Sequence, residues 1–166
     1  MIMDARINLR DADPGAEKAI YALEKYVEQT GIPPLHLHLI KIRASQINGC
    51  AYCIKMHTRD ARKLGETEER IYLLDAWKEV EGLYSNEERI ILALTEEITL
   101  ISEQGLTEET YQKAIKQFGP VKLSQLITAV IAINCWNRIC ISLQIQPEIK
   151  LPESVKKNVG LVGELR

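Results

Sequence analysis

Ala44-Ser45-Gln46-Ile47-Asn48-Gly49-Cys50-Ala51-Tyr52-Cys53-Ile54-Lys55-Met56-His57 is the stretch on which the reading of this 166-residue chain turns. Asn48-Gly49 interrupts a helical pattern, because these two residue types enter the left-handed conformation that ends helices. Upstream, Pro33-Pro34 opens a segment in which Leu35, Leu39 and Ile42 share one face. Downstream, a further helix is expected from about Cys50 to Leu64, ending at Gly65. The two cysteines therefore stand three apart across a helix start, which puts their sulfurs within disulfide reach. A helix N-terminus carries about half a positive charge and favours thiolate over thiol. His57 lies one turn beyond Cys53 on the same face, where it can exchange a proton with that sulfur. From Lys41 to Lys63, six basic residues (Lys41, Arg43, Lys55, Arg59, Arg62, Lys63) stand against one acid, Asp60. That excess is expected to lower a cysteine pKa further.

Outward from this stretch, helix punctuation continues and strand signals are nearly absent. Asp13-Pro14 offers a cap followed by proline at the first helical position, and Ala16, Ala19, Ile20, Leu23 and Val27 then recur at helical spacing until Thr30-Gly31. Thr67 is expected to cap a helix carrying Ile71, Leu74 and Trp77. Ser85-Asn86-Glu87-Glu88 reads as a capping box leading into a helix over Ile90 to Ser102 that ends near Gly105. Thr107 caps a short amphipathic helix that stops at Gly119-Pro120. The last long segment, Val121 to about Leu143, is apolar on nearly every face between Leu126 and Ile133 and should run through the core. Beyond Pro147 the tail is polar. The fold class expected is all-α, in one domain spanning 1–166 with a core of about 14–146.

With 46% hydrophobic residues and 9 Gly and 6 Pro in the chain, the composition is that of a globular protein able to bury a real core. A net charge of −2 gives no general pull towards nucleic acid or an anionic membrane. The N-terminus lacks the basic-then-apolar pattern of a signal peptide, and the Leu126–Ile133 run is too short to span a bilayer. The location expected is cytoplasmic, where a close cysteine pair among four cysteines points to catalysis or metal binding rather than a structural staple.

Three readings of the pair follow from the residues. A reactive, reversible dithiol is the first. A zinc-stabilised interaction module is the second, with Cys50, Cys53, His57 and either His36 or His38 as ligands, although the second knuckle usual in such sites is missing. A redox sensor or adaptor with little turnover is the third. Cys135 and Cys140, five apart on the last helix, point in different directions and read as core residues.

The run from Arg43 to Gly65 resembles the core of the alkylhydroperoxidase AhpD-like family, within the carboxymuconolactone decarboxylase superfamily. Asn86-Glu87-Glu88-Arg89 with Ala93-Leu94, and Ile133-Asn134-Cys135-Trp136-Asn137-Arg138, extend the resemblance from about Pro34 to Leu143. It implies a helical bundle of about seven to eight helices and a homo-oligomer. It further implies dithiol-dependent reduction of a small hydroperoxide, with Cys50 and Cys53 in the sulfur roles and His57 as proton relay. No cofactor or metal is implied; an external dithiol protein or small thiol re-reduces the Cys50–Cys53 disulfide. Of the two cysteines, Cys53 is the nucleophile of choice, with the reversed roles left open. The family glutamate twelve residues before the first cysteine is His38 here, and the histidine between the cysteines is Tyr52; both are expected to line the site as relay or wall. The decarboxylase branch generally lacks the cysteine pair, so that activity is not expected.

Overall fold

The computed structural model describes residues 5–149 together with 152 and 155. Among these, the secondary structure is eight α-helices and one 3-10 turn, with no strand. The expected polar tail beyond Pro147 lies almost wholly outside the described residues.

A single turn, α1 (Leu9–Ala12), is capped by Asn8, whose side chain accepts from the Arg10 N–H at 3.0 Å. Asp13 then caps α2 (Pro14–Glu28), its carboxylate accepting from the Ala16 N–H at 3.0 Å, with Pro14 at the first position. Helix α3 (Pro34–Asn48) ends at Gly49, which takes φ 72°, and α4 (Ala51–Lys63) begins two residues later. Only glycine enters that conformation without a steric cost of roughly 1 kcal/mol or more, so the Asn-Gly break sets the angle at which the cysteine helix leaves α3.

Two expected helices are shorter than their patterns. Thr67 caps α5 (Glu68–Tyr72), but the helix stops there and the chain tightens into a 3-10 turn over Leu74–Ala76. The tighter winding carries Asp75 to Arg43 and the Trp77 Nε1–H to Glu96 at 2.7 Å. The capping box is formed: Ser85 Oγ accepts from the Glu88 N–H at 3.2 Å, and Glu88 accepts from the Ser85 N–H at 2.8 Å. It opens α6 (Asn86–Thr99), and after a break at Leu100 a turn, α7 (Ile101–Gln104), runs to Gly105. The two segments expected on either side of Gly119-Pro120 form one 35-residue element, α8 (Glu108–Ser142), kinked where Gly119 takes φ 71° and ψ 171°.

Helix α3 is the most enclosed element: Leu37, Leu39, Ile40, Lys41, Ile42, Ala44 and Ser45 are all buried. One cluster, including Val27, Ile40, Ile91, Leu126, Val130 and Ile133, joins it to α2, α6 and α8. A second, of Leu39, Ile42, Ala61, Leu74, Trp77, Tyr84 and Leu92, packs it against α4, α6 and the 3-10 turn. Each such large aliphatic side chain contributes about 2 kcal/mol by leaving water.

Helix α8 is half-embedded rather than enclosed. Ala129, Val130, Ala132 and Ile133 are buried, while Ile131 remains 45% exposed and Ile141 44%. It is long and apolar enough to cross a membrane, with a mean hydropathy of 1.3 over its most apolar window. Its kink and its two buried asparagines, Asn134 and Asn137, suit a core helix instead.

Those asparagines brace the turn before the cysteines. Asn48 Nδ2 donates to Asn134 Oδ1 and Asn137 Oδ1, each at 3.0 Å. Asn137 Nδ2 donates to Ser45 Oγ at 2.9 Å, and Asn134 Nδ2 to Thr99 Oγ1 at 3.1 Å. The motif residues of α8 thus hold the C-terminal end of α3 against α6.

Candidate redox site

Cys50 occupies the N-cap of α4, where its sulfur accepts from the Cys53 N–H at 3.4 Å. Cys50 and Cys53 form a disulfide, with Cα atoms 5.4 Å apart. Both are buried. They differ in what they face: Cys53 forms part of the wall of a cavity of about 580 Å³, and Cys50 does not.

Four helices and the N-terminal segment build that cavity, each presenting one helical face. Glu17, Tyr21, Glu24 and Glu28 come from α2, His38 and Lys41 from α3, and Tyr52, Cys53, Met56, His57 and Asp60 from α4. Trp136, Ile139 and Cys140 come from α8, with the Trp136 ring edge-on to Tyr21 at 4.9 Å between centroids. Ala5, Ile7, Asn8 and Leu9 close the remaining side. This segment is strapped to the end of α8, the Arg6 N–H donating to the Leu143 carbonyl at 2.9 Å and its guanidinium to that of Ser142 at 3.2 Å.

The electrostatics differ from the sequence expectation. Of the six basic residues, five are matched by acids: Lys41 by Glu24, Arg43 by Asp75 and Glu96, Arg59 and Lys63 by Asp60, and Arg62 by Glu68. Glu24, Glu68, Asp75 and Glu96 come from outside the 41–63 stretch, which is why the charge count overstated the local field. Lys41 alone of the six reaches the cavity wall, and it does so already paired. The thiolate bias that remains is the N-terminus of α4 itself.

His57 is buried, and burial, reinforced by the Lys41 and His38 charges, pushes its pKa down to about 3. It is a neutral imidazole at physiological pH in this disulfide-bonded state. The His38 ring lies 5.8 Å from it between centroids; burial and Lys41 lower its pKa too. The His38 Nδ1 atom is buried without a hydrogen-bond partner. Asp60 opposes the downward shift on both histidines, and Glu24 on His38. The Arg59 and Lys63 hydrogen bonds hold Asp60 ionised far below the usual carboxylate range.

The structure therefore brings Cys53, His57, His38 and Tyr52 onto one cavity, with Cys50 bonded behind. His36 is turned away, its Nδ1 3.8 Å from Glu87. The zinc set drawn from the sequence is not assembled: among the described residues the one metal-sized group is Cys50, Cys53 and Cys140, with no histidine in it. Cys140 was read as a core residue. It is buried, as expected, but its sulfur lies within 4.8 Å of both sulfurs of the pair. Glu24 also escaped the sequence reading, although its signal was present: positions 17, 21, 24 and 28 are the spacing of one helix face.

The carboxymuconolactone decarboxylase family model matches residues 14–96, half of the chain. The chain is 43% identical over 141 residues to YdfG of Bacillus subtilis (strain 168), an uncharacterised protein, covering 85% of this chain and 95% of that one. A crystal structure from Agrobacterium tumefaciens, of a protein of unknown function assigned to antioxidant defence as an AhpD, superposes with a TM-score of 0.85. It shares 37% identity and is covered in full, over 89% of this chain. The AhpD core of a peroxidase-related protein from Ralstonia eutropha JMP134 superposes at a TM-score of 0.71 with 13% identity, covering 84% of this chain and 74% of that one, and so shares the fold. With these matches and the cysteine pair at a helix start, the chain belongs to the carboxymuconolactone decarboxylase family as an AhpD-like member.

Proposed function

We propose that this protein is a dithiol-dependent thiol peroxidase that reduces a small hydroperoxide and cycles through the Cys50–Cys53 disulfide. The observation that carries the reading is the position of Cys53, disulfide-bonded to Cys50 and yet on the wall of a cavity that also holds the neutral imidazole of His57. In the reduced protein His57 takes the proton of the Cys53 thiol. The resulting thiolate raises the basicity of the imidazole beside it, and the α4 N-terminus stabilises the negative sulfur. Cys53 attacks the terminal oxygen of the peroxide, the O–O bond breaks, and the leaving alkoxide takes the proton back from His57. The sulfenic acid on Cys53 condenses with the Cys50 thiol, releasing water and forming the disulfide. An external dithiol protein or small thiol then restores both thiols. No metal or cofactor enters the cycle.

The carboxylate that the family resemblance places at position 38 has counterparts across the cavity. Asp60 lies one turn beyond His57 on α4, and Glu24 faces the same space from α2. In this reading their charges polarise the relay in place of the missing glutamate, with His38 beside His57 as its second member. Exposed Ile101, Val121, Ile131 and Ile141 on α7 and α8 support a homo-oligomer, checked by sedimentation.

The test is steady-state turnover of hydrogen peroxide and an alkyl hydroperoxide with dithiothreitol as donor. Wild type should turn over repeatedly and Cys53→Ser not at all. A wild type that oxidises once and then stalls with excess dithiol would replace this reading with the sensor.

A further inference from the structure

The peroxidase cycle uses two sulfurs, but three are gathered. Cys140 arrives from α8, and its sulfur, with those of Cys50 and Cys53, forms a group in which every separation is within 4.8 Å. All three residues are at most 5% exposed. Cys53 and Cys140 line the cavity and Cys50 does not, so the sulfur that meets a ligand has a second cysteine on its own side. Cys135, on the same helix, is not part of the group.

We propose that Cys140 is a third redox-active thiol of this centre, forming with Cys53 a disulfide between α4 and α8 that exchanges with the Cys50–Cys53 disulfide. The Cys140 sulfur bonds to the Cys53 sulfur as the Cys53–Cys50 bond breaks, and the proton of Cys140 ends on the departing Cys50 sulfur. Two sulfurs are oxidised before and after, so the step needs no outside oxidant or reductant. The step requires the gap to close from within 4.8 Å to a disulfide length of about 2.05 Å. Burial holds the pKa of the Cys140 thiol above its ordinary value, which makes it the poorer leaving group. An incoming donor thiolate that attacks the α4–α8 bond therefore expels Cys53 in preference to Cys140. The exchange depends on the three sulfurs alone and not on peroxide being the oxidant.

The test is peptide mapping without reduction. Trypsin leaves Cys50 and Cys53 in residues 44–55, Cys135 in 123–138 and Cys140 in 139–150, so each linkage is distinguishable. Cys50→Ser, which keeps a capping atom at the start of α4, is oxidised with diamide and digested after thiol blocking. The expected product is 44–55 joined to 139–150 within one chain, lost in Cys50→Ser/Cys140→Ser. Oxidised wild type, equilibrated and then quenched in acid, should show the same linkage in a measurable fraction beside the disulfide internal to 44–55. A Cys50→Ser protein in which 44–55 stays unlinked, joins 123–138, or links only between chains would overturn the proposal. So would oxidised wild type holding its disulfide within 44–55 alone. Because diamide replaces peroxide, the linkage forming without peroxide turnover would leave this proposal standing and remove the peroxidase reading instead.

Discussion

Where α3 meets α8, the amides of Asn48, Asn134 and Asn137 bond one another, Ser45 and Thr99, and Asn137 is wholly buried. Where α3 meets α2 and α4, an equally polar group behaves otherwise. His57 is buried and kept neutral, and His38 carries a buried nitrogen with no partner. Each cluster has a member within a few residues of the Cys50–Cys53 pair, Asn48 in the first and His57 in the second. The first uses uncharged groups whose donors and acceptors satisfy each other, which is how a polar interior becomes rigid. The second leaves hydrogen-bonding capacity over, in contact with a cavity, and that surplus is what a proton-transfer site requires. One cluster positions the cysteines and the other is free to react.

That contrast is sharpened most by Cys53→Ser. It should lower peroxide turnover by about 10³-fold or more while the thermal midpoint stays within a few degrees, measured by steady-state assay and calorimetry. An equal loss of stability and activity would mean that the pair is structural.

The next largest effect is a pH dependence confined to the open cluster. His57 has a folded pKa of about 3, against an ordinary value of 6.5. As the pH falls below 6.5 the unfolded chain takes up a proton that the folded chain refuses. The stability present above that pH is therefore lost progressively down to about pH 3. Between pH 7 and pH 4, the oxidised wild type should lose about 3 kcal/mol more than His57→Gln, read from urea denaturation of each at both pH values. Parallel losses would show that His57 is not held neutral.

Breaking the closed cluster should cost stability instead. Asn137→Ala removes the donor to Ser45 Oγ and one of the acceptors of Asn48 in a buried setting and should lower stability by about 2 kcal/mol, nearly independent of pH, with turnover per folded molecule retained. The smallest effect belongs to the hinge between the clusters: Gly49→Ala, at φ 72° with open space around the added methyl, should cost about 1 kcal/mol from backbone strain alone. Denaturation midpoints check both.

The helical skeleton was legible in the sequence wherever local chemistry decides it. Pro14 and Pro34 open helices, Gly49 closes one, and the Ser85–Glu88 box needs only its own four residues. What escaped was set by distant partners. The 3-10 turn after Tyr72 is tied to Arg43 and Glu96, and three bases of the basic run are paired with the distant acids Glu24, Glu68, Asp75 and Glu96. Cys53 and His57 share a face by spacing alone, so their place on one cavity was readable. The approach of Cys140 depends on how α8 packs against α4, and no local pattern carries that.

The strap over residues 5–9 has a consequence for how this protein can diversify. The family match begins at residue 14 and ends at 96, so it contains both cysteines of the pair and all three histidines. The strap, and the α8 residues Trp136 and Ile139 facing the same cavity, lie outside it. Part of the cavity wall is thus separable from the Cys50–Cys53 pair: codons 5–9, 136 and 139 can drift, or be randomised in a library, to reshape the cavity while Asn137, which braces the cysteine turn, and Cys140 are kept.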